Sequence, residues 1–235
     1  MTAKKKTPPP RENRSFITIV AVLLVGGVAV IGYVLNRDKT TATIVDTNAP
    51  LPAAQGYVMG SDSAPVEIVE FGDFECPGCG QFAMVTEPDV RSRLVATGLA
   101  RFRFMDFPLS MHPNAMTAHN AAACANAQGK FWEYHDKLFE EQFNWNTEAT
   151  NNPARLMKNY ARSLGLDAGA FNTCLDNRQF EPQIRANYEE GTRRAVGFTP
   201  SFFVGKRLWA GGIGYDQLKA LVDSATAEAK ADTAQ

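Results

Sequence analysis

The chain has 235 residues, with 24 Lys and Arg against 25 Asp and Glu, and its net charge of −1 biases it toward neither acidic nor basic partners. No basic stripe runs along it, which argues against nucleic acid as a ligand. There is no internal repeat, and low complexity is confined to the N-terminal Lys/Pro segment and a polar stretch after Ser224.

Phe16 to Leu35 is an unbroken run of 20 residues without a charge, long enough to cross a bilayer as a helix. Lys4, Lys5, Lys6, Arg11 and Arg14 precede it, and only Arg37 and Lys39 follow closely. That asymmetry predicts a cytoplasmic N-terminus and an extracytoplasmic remainder. A cleavable signal peptide is the alternative, but Tyr33-Val34-Leu35-Asn36-Arg37 lacks the small residues a cleavage site needs, so an uncleaved anchor is expected. On either reading the four cysteines lie where disulfides form and persist. The expected order is a cytoplasmic basic segment (1–15), a transmembrane anchor (16–35), a linker (36–56), one domain (57–228) and a polar tail (229–235). Beyond Leu35 there are 19 basic and 24 acidic residues, a net of −5.

Within the domain, Val66 to Phe71 reads as a strand. Cys76-Pro77-Gly78-Cys79 follows it and opens an amphipathic segment. A Cys-x-x-Cys at a helix start places the first thiol against unpaired N–H groups and the positive end of the helix dipole, which stabilise a thiolate. Pro77 suits the first turn, where its missing N–H costs nothing. Half of a zinc site is the alternative, but no second Cys-x-x-Cys exists and the histidines are only His112, His119 and His135.

Phe82, Val85, Val90 and Leu94 predict one face of a helix to about Ala96, kinked at Pro88. Ala100 to Phe107 alternates as a strand, completing a parallel βαβ unit. Helices are then expected over 114–127, 131–142, 153–164, a short one capped by Asp167, and 181–196. Ser201 to Val204, a Gly205-Lys206 turn and Arg207 to Trp209 predict a hairpin, and a last helix carries Leu218, Leu221, Val222 and Ala225. Glu70 shares a strand face with Val66 and Ile68 and is either buried or an edge carboxylate facing water. His135 lies on an apolar stripe and reads as a core histidine, while nothing assigns a role to His112 or His119.

A βαβ half and a ββα half, with Glu-Phe-Gly-Asp-Phe-Glu-Cys-Pro-Gly-Cys at 70–79 and Gly197-Phe198-Thr199-Pro200, resemble the thioredoxin fold of the DsbA-like thiol:disulfide oxidoreductases. The resemblance covers roughly 57–228, with an all-helical subdomain inserted at about 112–196. It implies Cys76 as the exposed sulfur attacked by substrate, Cys79 as its buried partner, and Glu70 as a buried acid assisting Cys79. It also implies that Thr199-Pro200 is a cis-proline loop facing the disulfide and pairing with an extended substrate chain. The dipeptide Pro77-Gly78 departs from the best-known oxidase, which has histidine where Gly78 stands, and Thr199 also occurs in isomerase-like relatives. Four cysteines allow three pairings. With Cys76 bonded to Cys79, Cys124 and Cys174 are left to form the second, structural disulfide found in anchored relatives, the alternative being two separate buried thiols.

The function these features imply is donation of the Cys76–Cys79 disulfide to folding proteins that carry cysteines. Re-oxidation is expected from a membrane quinone-linked enzyme of the DsbB or vitamin K epoxide reductase (VKOR) type, with no bound cofactor and no metal. A reductase or isomerase of the same fold is the alternative, although the short linker leaves no room for an isomerase's dimerisation domain. A non-catalytic metal- or protein-binding module is the more distant one.

Overall fold

In the computed structural model, residues 56–233 are described, together with Thr43, Ile44 and four positions further upstream. Of the 16–35 span only Leu23, Gly26, Gly27 and Ile31 are among them, so the predicted anchor lies outside the described residues. Among the described residues no helix is long and apolar enough to cross a membrane.

Among the described residues, six strands form one mixed sheet: β1 (Thr43–Ile44), β2 (Tyr57–Met59), β3 (Glu67–Gly72), β4 (Arg101–Asp106), β5 (Ser201–Val204) and β6 (Arg207–Ala210), in the order β1-β6-β5-β3-β4-β2. β3 runs parallel to β4 and antiparallel to β5, and β5 and β6 form the predicted hairpin around Gly205. Gly205 has φ +58°, which a two-residue hairpin turn requires and glycine adopts without strain. The three-residue β2 and two-residue β1 add the edges, pairing with β4 and β6. Both were missed, because two or three residues carry no readable alternation and β1 falls in the expected linker.

β3 is therefore a central strand, and alternation gives its two sides different neighbours. Ile68 and Glu70 share a face with Phe102, Phe104, Phe202 and Val204, under the active-site helix and the helical insertion. Phe71 faces the other way with Met105, Phe107, Phe203 and Leu208.

The segment after Cys76 alternates between α-helical and π-helical turns: α1 (Pro77–Gln81), a π turn (Phe82–Thr86), α2 (Glu87–Val90) and a second π turn (Arg91–Val95). The Glu87 N–H bonds to Phe82 O, five residues back. Pro88, which has no N–H to contribute, follows at the start of α2, so the chain widens its turn there rather than ending the helix. The wider turn also shifts the helical phase. Phe82, Val90 and Leu94 are buried as predicted, but Val85 is rotated outward and 70% exposed.

The insertion comprises α3 (Ala115–Asn126), α4 (Phe131–Glu140), α5 (Gln142–Trp145), α6 (Ala154–Ser163), α7 (Ala168–Asp176) and α8 (Glu181–Arg193). Asp167 caps α7, accepting from Ala170 N at 2.7 Å. Gly165 closes the turn after α6 with φ +72°. α8 leaves the insertion to cover the second face of the sheet, where a Cβ on Gly191 would come within 2.6 Å of the Phe107 ring. The last helix, α9 (Tyr215–Thr233), continues through what the sequence suggested was a polar tail beginning at 229. The result is a mixed α/β thioredoxin-like fold with a helical insertion.

Candidate active site

Cys76 occupies the N-cap of α1 with extended backbone (φ −72°, ψ 122°), and Pro77 lies in the first turn. Four hydrogen bonds fix this end of the helix. Cys76 N–H donates to Asp73 O at 3.1 Å, Gly80 N–H donates to Cys76 O at 3.1 Å, and Gln142 Nε2 from the insertion donates to Phe74 O and Cys76 O at 2.7 and 3.0 Å. Gly80 is small because a Cβ there would lie 2.8 Å from Gln142 Oε1.

Both cysteines are thiols in this structure. The resemblance implied an exposed Cys76; it is in fact 8% exposed, against 0% for Cys79, because the cis-proline loop lies over it. The bond Thr199–Pro200 is cis, and the Cys76 thiol donates to Thr199 O at 3.4 Å. A Cβ on Gly78 would meet Pro200 Cδ at 3.2 Å, so glycine there lets the two loops approach.

The two sulfurs differ electrically. The hydrogen bond from the Cys79 thiol is the largest influence pulling the Cys76 pKa down to about 6, helped by Thr199 and the N–H groups of Cys79 and Gly78, while burial opposes it. Cys79 moves the opposite way. Burial raises it most, followed by its bond to Cys76 and the charge of Glu70, against a 3.4 Å hydrogen bond from Asp73 N.

Glu70 is buried, not an edge carboxylate, with Phe104 and Phe202 beside it in the sheet and, among the described residues, no hydrogen-bond partner for either carboxyl oxygen. Burial holds its pKa well above the usual carboxylate range. The charges of Glu87 and Cys76 add to this and Arg91 opposes it.

The sequence shows Asp73 and Glu75 within the motif and Gln142 on the helical stripe after Phe131, but assigns none of them a role. Both acids are buried and clasp the insertion. Asp73 Oδ2 accepts from Leu109 N (2.8 Å) and His112 Nδ1 (2.7 Å), and Oδ1 from Glu75 N (2.8 Å). Glu75 accepts from Asn114 N at 2.8 Å and from the N–H and hydroxyl of Thr147. Two acids flanking a Phe just before the Cys-x-x-Cys are the one signal that could have flagged them.

Cys124 on α3 and Cys174 on α7 are joined by a disulfide within the insertion. His135 is buried among the rings of Phe74, Phe104, Phe131 and Phe139, with Nδ1 2.9 Å from Asp136. Glu87, His135 and Asp136 bring ligand atoms within 4.8 Å of one another, but Arg91 already bonds to both carboxylates, at 2.7 Å to Glu87 and 2.5 Å to Asp136. A guanidinium there repels a metal cation.

Residues 53–224 match the family model described as Thioredoxin. The chain is 37% identical over 188 residues to the Na(+)/H(+) antiporter NhaA 3 of Salinispora tropica, covering 80% of this chain but only 27% of that protein. It is 26% identical over 175 residues to disulfide bond formation protein D of Bacillus subtilis, covering 73% of this chain and 78% of the relative. Among solved structures, α-DsbA1 of Wolbachia pipientis superposes with a TM-score of 0.69 at 20% identity, covering 81% of this chain and all of that one. The chain thus spans about a quarter of the antiporter relatives and most of the disulfide-forming one. With the fold, the Cys-x-x-Cys at a helix start and the facing cis-proline, the match over residues 53–224 places the chain in the thioredoxin family.

Proposed function

We propose that the protein is an extracytoplasmic disulfide donor, and the observation that carries the reading is the opposed tuning of the two sulfurs. A substrate thiolate attacks Cys76 Sγ, the Cys76–Cys79 bond breaks, and a mixed disulfide forms on Cys76. Cys79, whose pKa is raised, leaves well only if protonated, and the protonated Glu70 is the acid for that step. A second substrate thiolate then attacks the substrate sulfur of the mixed disulfide and releases Cys76 as a thiolate. Two electrons pass from substrate to the pair, and a leaving thiolate with a pKa of about 6 drives the exchange toward oxidised substrate. The sulfurs carry the electrons, so the reaction calls for no organic cofactor.

The cis-proline loop over Cys76 offers backbone to an extended client. The uncharged 16–35 run with its basic flank supports a single-pass anchor with the domain outside, and the Cys124–Cys174 disulfide fits an oxidising compartment. A membrane quinone-linked oxidase of the DsbB or VKOR type is the partner that would restore the disulfide. A reductase is the second reading, favoured by Gly78, which brings no imidazole to the dipeptide.

The deciding measurement is the equilibrium of the Cys76–Cys79 pair with glutathione in the full chain. A donor equilibrates well above the glutathione couple. A potential near the thioredoxin value of about −270 mV would instead establish the reductase.

A further inference from the structure

Gly78 leaves the dipeptide without an imidazole, yet one is held close by from another element. His112, in the loop between β4 and α3, places Nδ1 2.7 Å from Asp73 Oδ2, with its side chain 19% exposed. Asp73 is joined to both cysteines through its backbone: its C=O accepts from Cys76 N and its N–H donates to Cys79 Sγ. Its carboxylate is fully buried, so its charge is weakly screened and lies in the residue that cradles both sulfurs. Left alone, that charge would oppose a thiolate on Cys76. The other nearby histidine, His119, is 3.9 Å from Asp73 Oδ1 and spends its Nδ1 on Asp106 at 2.6 Å. Glu75, also nearby, is satisfied by Asn114 and Thr147.

We propose that His112, paired with Asp73, is a positioning residue whose positive charge cancels the buried Asp73 carboxylate and thereby sets the stability of the Cys76 thiolate. The inference rests on the reading that Cys76 is the sulfur released as a thiolate. The groups facing His112 are consistent with it. The hydrogen bond to Asp73 raises the imidazole's pKa most, and the charges of Asp73, Cys76 and Glu75 add, against burial. As pH rises through the His112 pKa, the imidazolium is lost, a net negative charge remains at Asp73, and the pair becomes a weaker oxidant.

Linkage makes the coupling reciprocal, so wild type alone tests it. The ring-proton NMR titration of His112 in the full chain in detergent, assigned with His112→Gln, is expected at a higher pKa in the dithiol form than in the disulfide form. Equal values would overturn the proposal. In His112→Gln the Cys76 thiolate, followed by ultraviolet absorbance, is expected to titrate about one unit higher, and the glutathione equilibrium to shift about tenfold toward the disulfide form, or about 30 mV. Asp73→Asn/His112→Gln removes both charges and is expected to return close to wild type. An unmoved midpoint in His112→Gln, or a double variant displaced as far as the single, would also overturn it. The parent reading fails separately: Cys79→Ser would then trap no mixed disulfide on Cys76, whatever His112 does.

Discussion

Glu70 lies between two phenylalanines of the neighbouring strands, where water cannot solvate its charge, and this gives a pH dependence with a definite sign. Its folded pKa is above its unfolded value. Between the two, the folded chain holds a proton that the unfolded chain has lost, so stability falls as pH rises through that window. Glu70→Gln removes the dependence while keeping the shape. The reduced variant should be more stable than wild type at pH 7 by at least about 1 kcal/mol, seen as a melting temperature higher by about 2–4 °C, with the two curves converging toward pH 4. Thermal melts of both proteins across pH 4 to 8 check this.

At the scale of elements, the site is a junction. α1 has only five residues before the first π turn, and its N-terminal end is held by residues from outside it. Gln142 on α5 donates to the carbonyls of Phe74 and Cys76, while Asp73 and Glu75 receive the backbone N–H groups of Leu109, Asn114 and Thr147. The insertion thus fixes the redox loop as well as covering it. Gln142→Ala removes two hydrogen bonds from buried carbonyls. It should cost about 2 kcal/mol in urea unfolding and raise the reactivity of Cys79 toward an alkylating reagent, as the loop gains freedom. An unchanged midpoint and alkylation rate would mean that the loop holds its shape without the insertion.

Across the whole molecule, the Cys124–Cys174 disulfide closes a loop with a sequence separation of 50, tying α3 to α7 across the insertion. Chain entropy assigns such a closure about 4 kcal/mol. Replacing both cysteines by serine should lower the denaturation midpoint by a corresponding amount while leaving the Cys76–Cys79 potential within about 10 mV, since the two pairs share no hydrogen-bonded neighbour among the described residues. Urea unfolding and the glutathione equilibrium, run on the same variant, test both halves.

The sequence by itself determined the main element order from β3 onward, the Cys-x-x-Cys at a helix start, the hairpin and the insertion, because each rests on local chemistry: alternation, capping, glycine turns and cysteine spacing. Glu70 was legible only as a choice between water and core. Tertiary structure decided it by making β3 a central strand with Phe104 and Phe202 alongside. Val85 was misplaced because a π turn changes the helical period, and nothing in a pattern read at 3.6 residues per turn reports that. Asp73, Glu75, His112 and Gln142 were invisible as a group because their contacts span 36 to 72 residues, and only the folded chain brings such distant positions within hydrogen-bond reach.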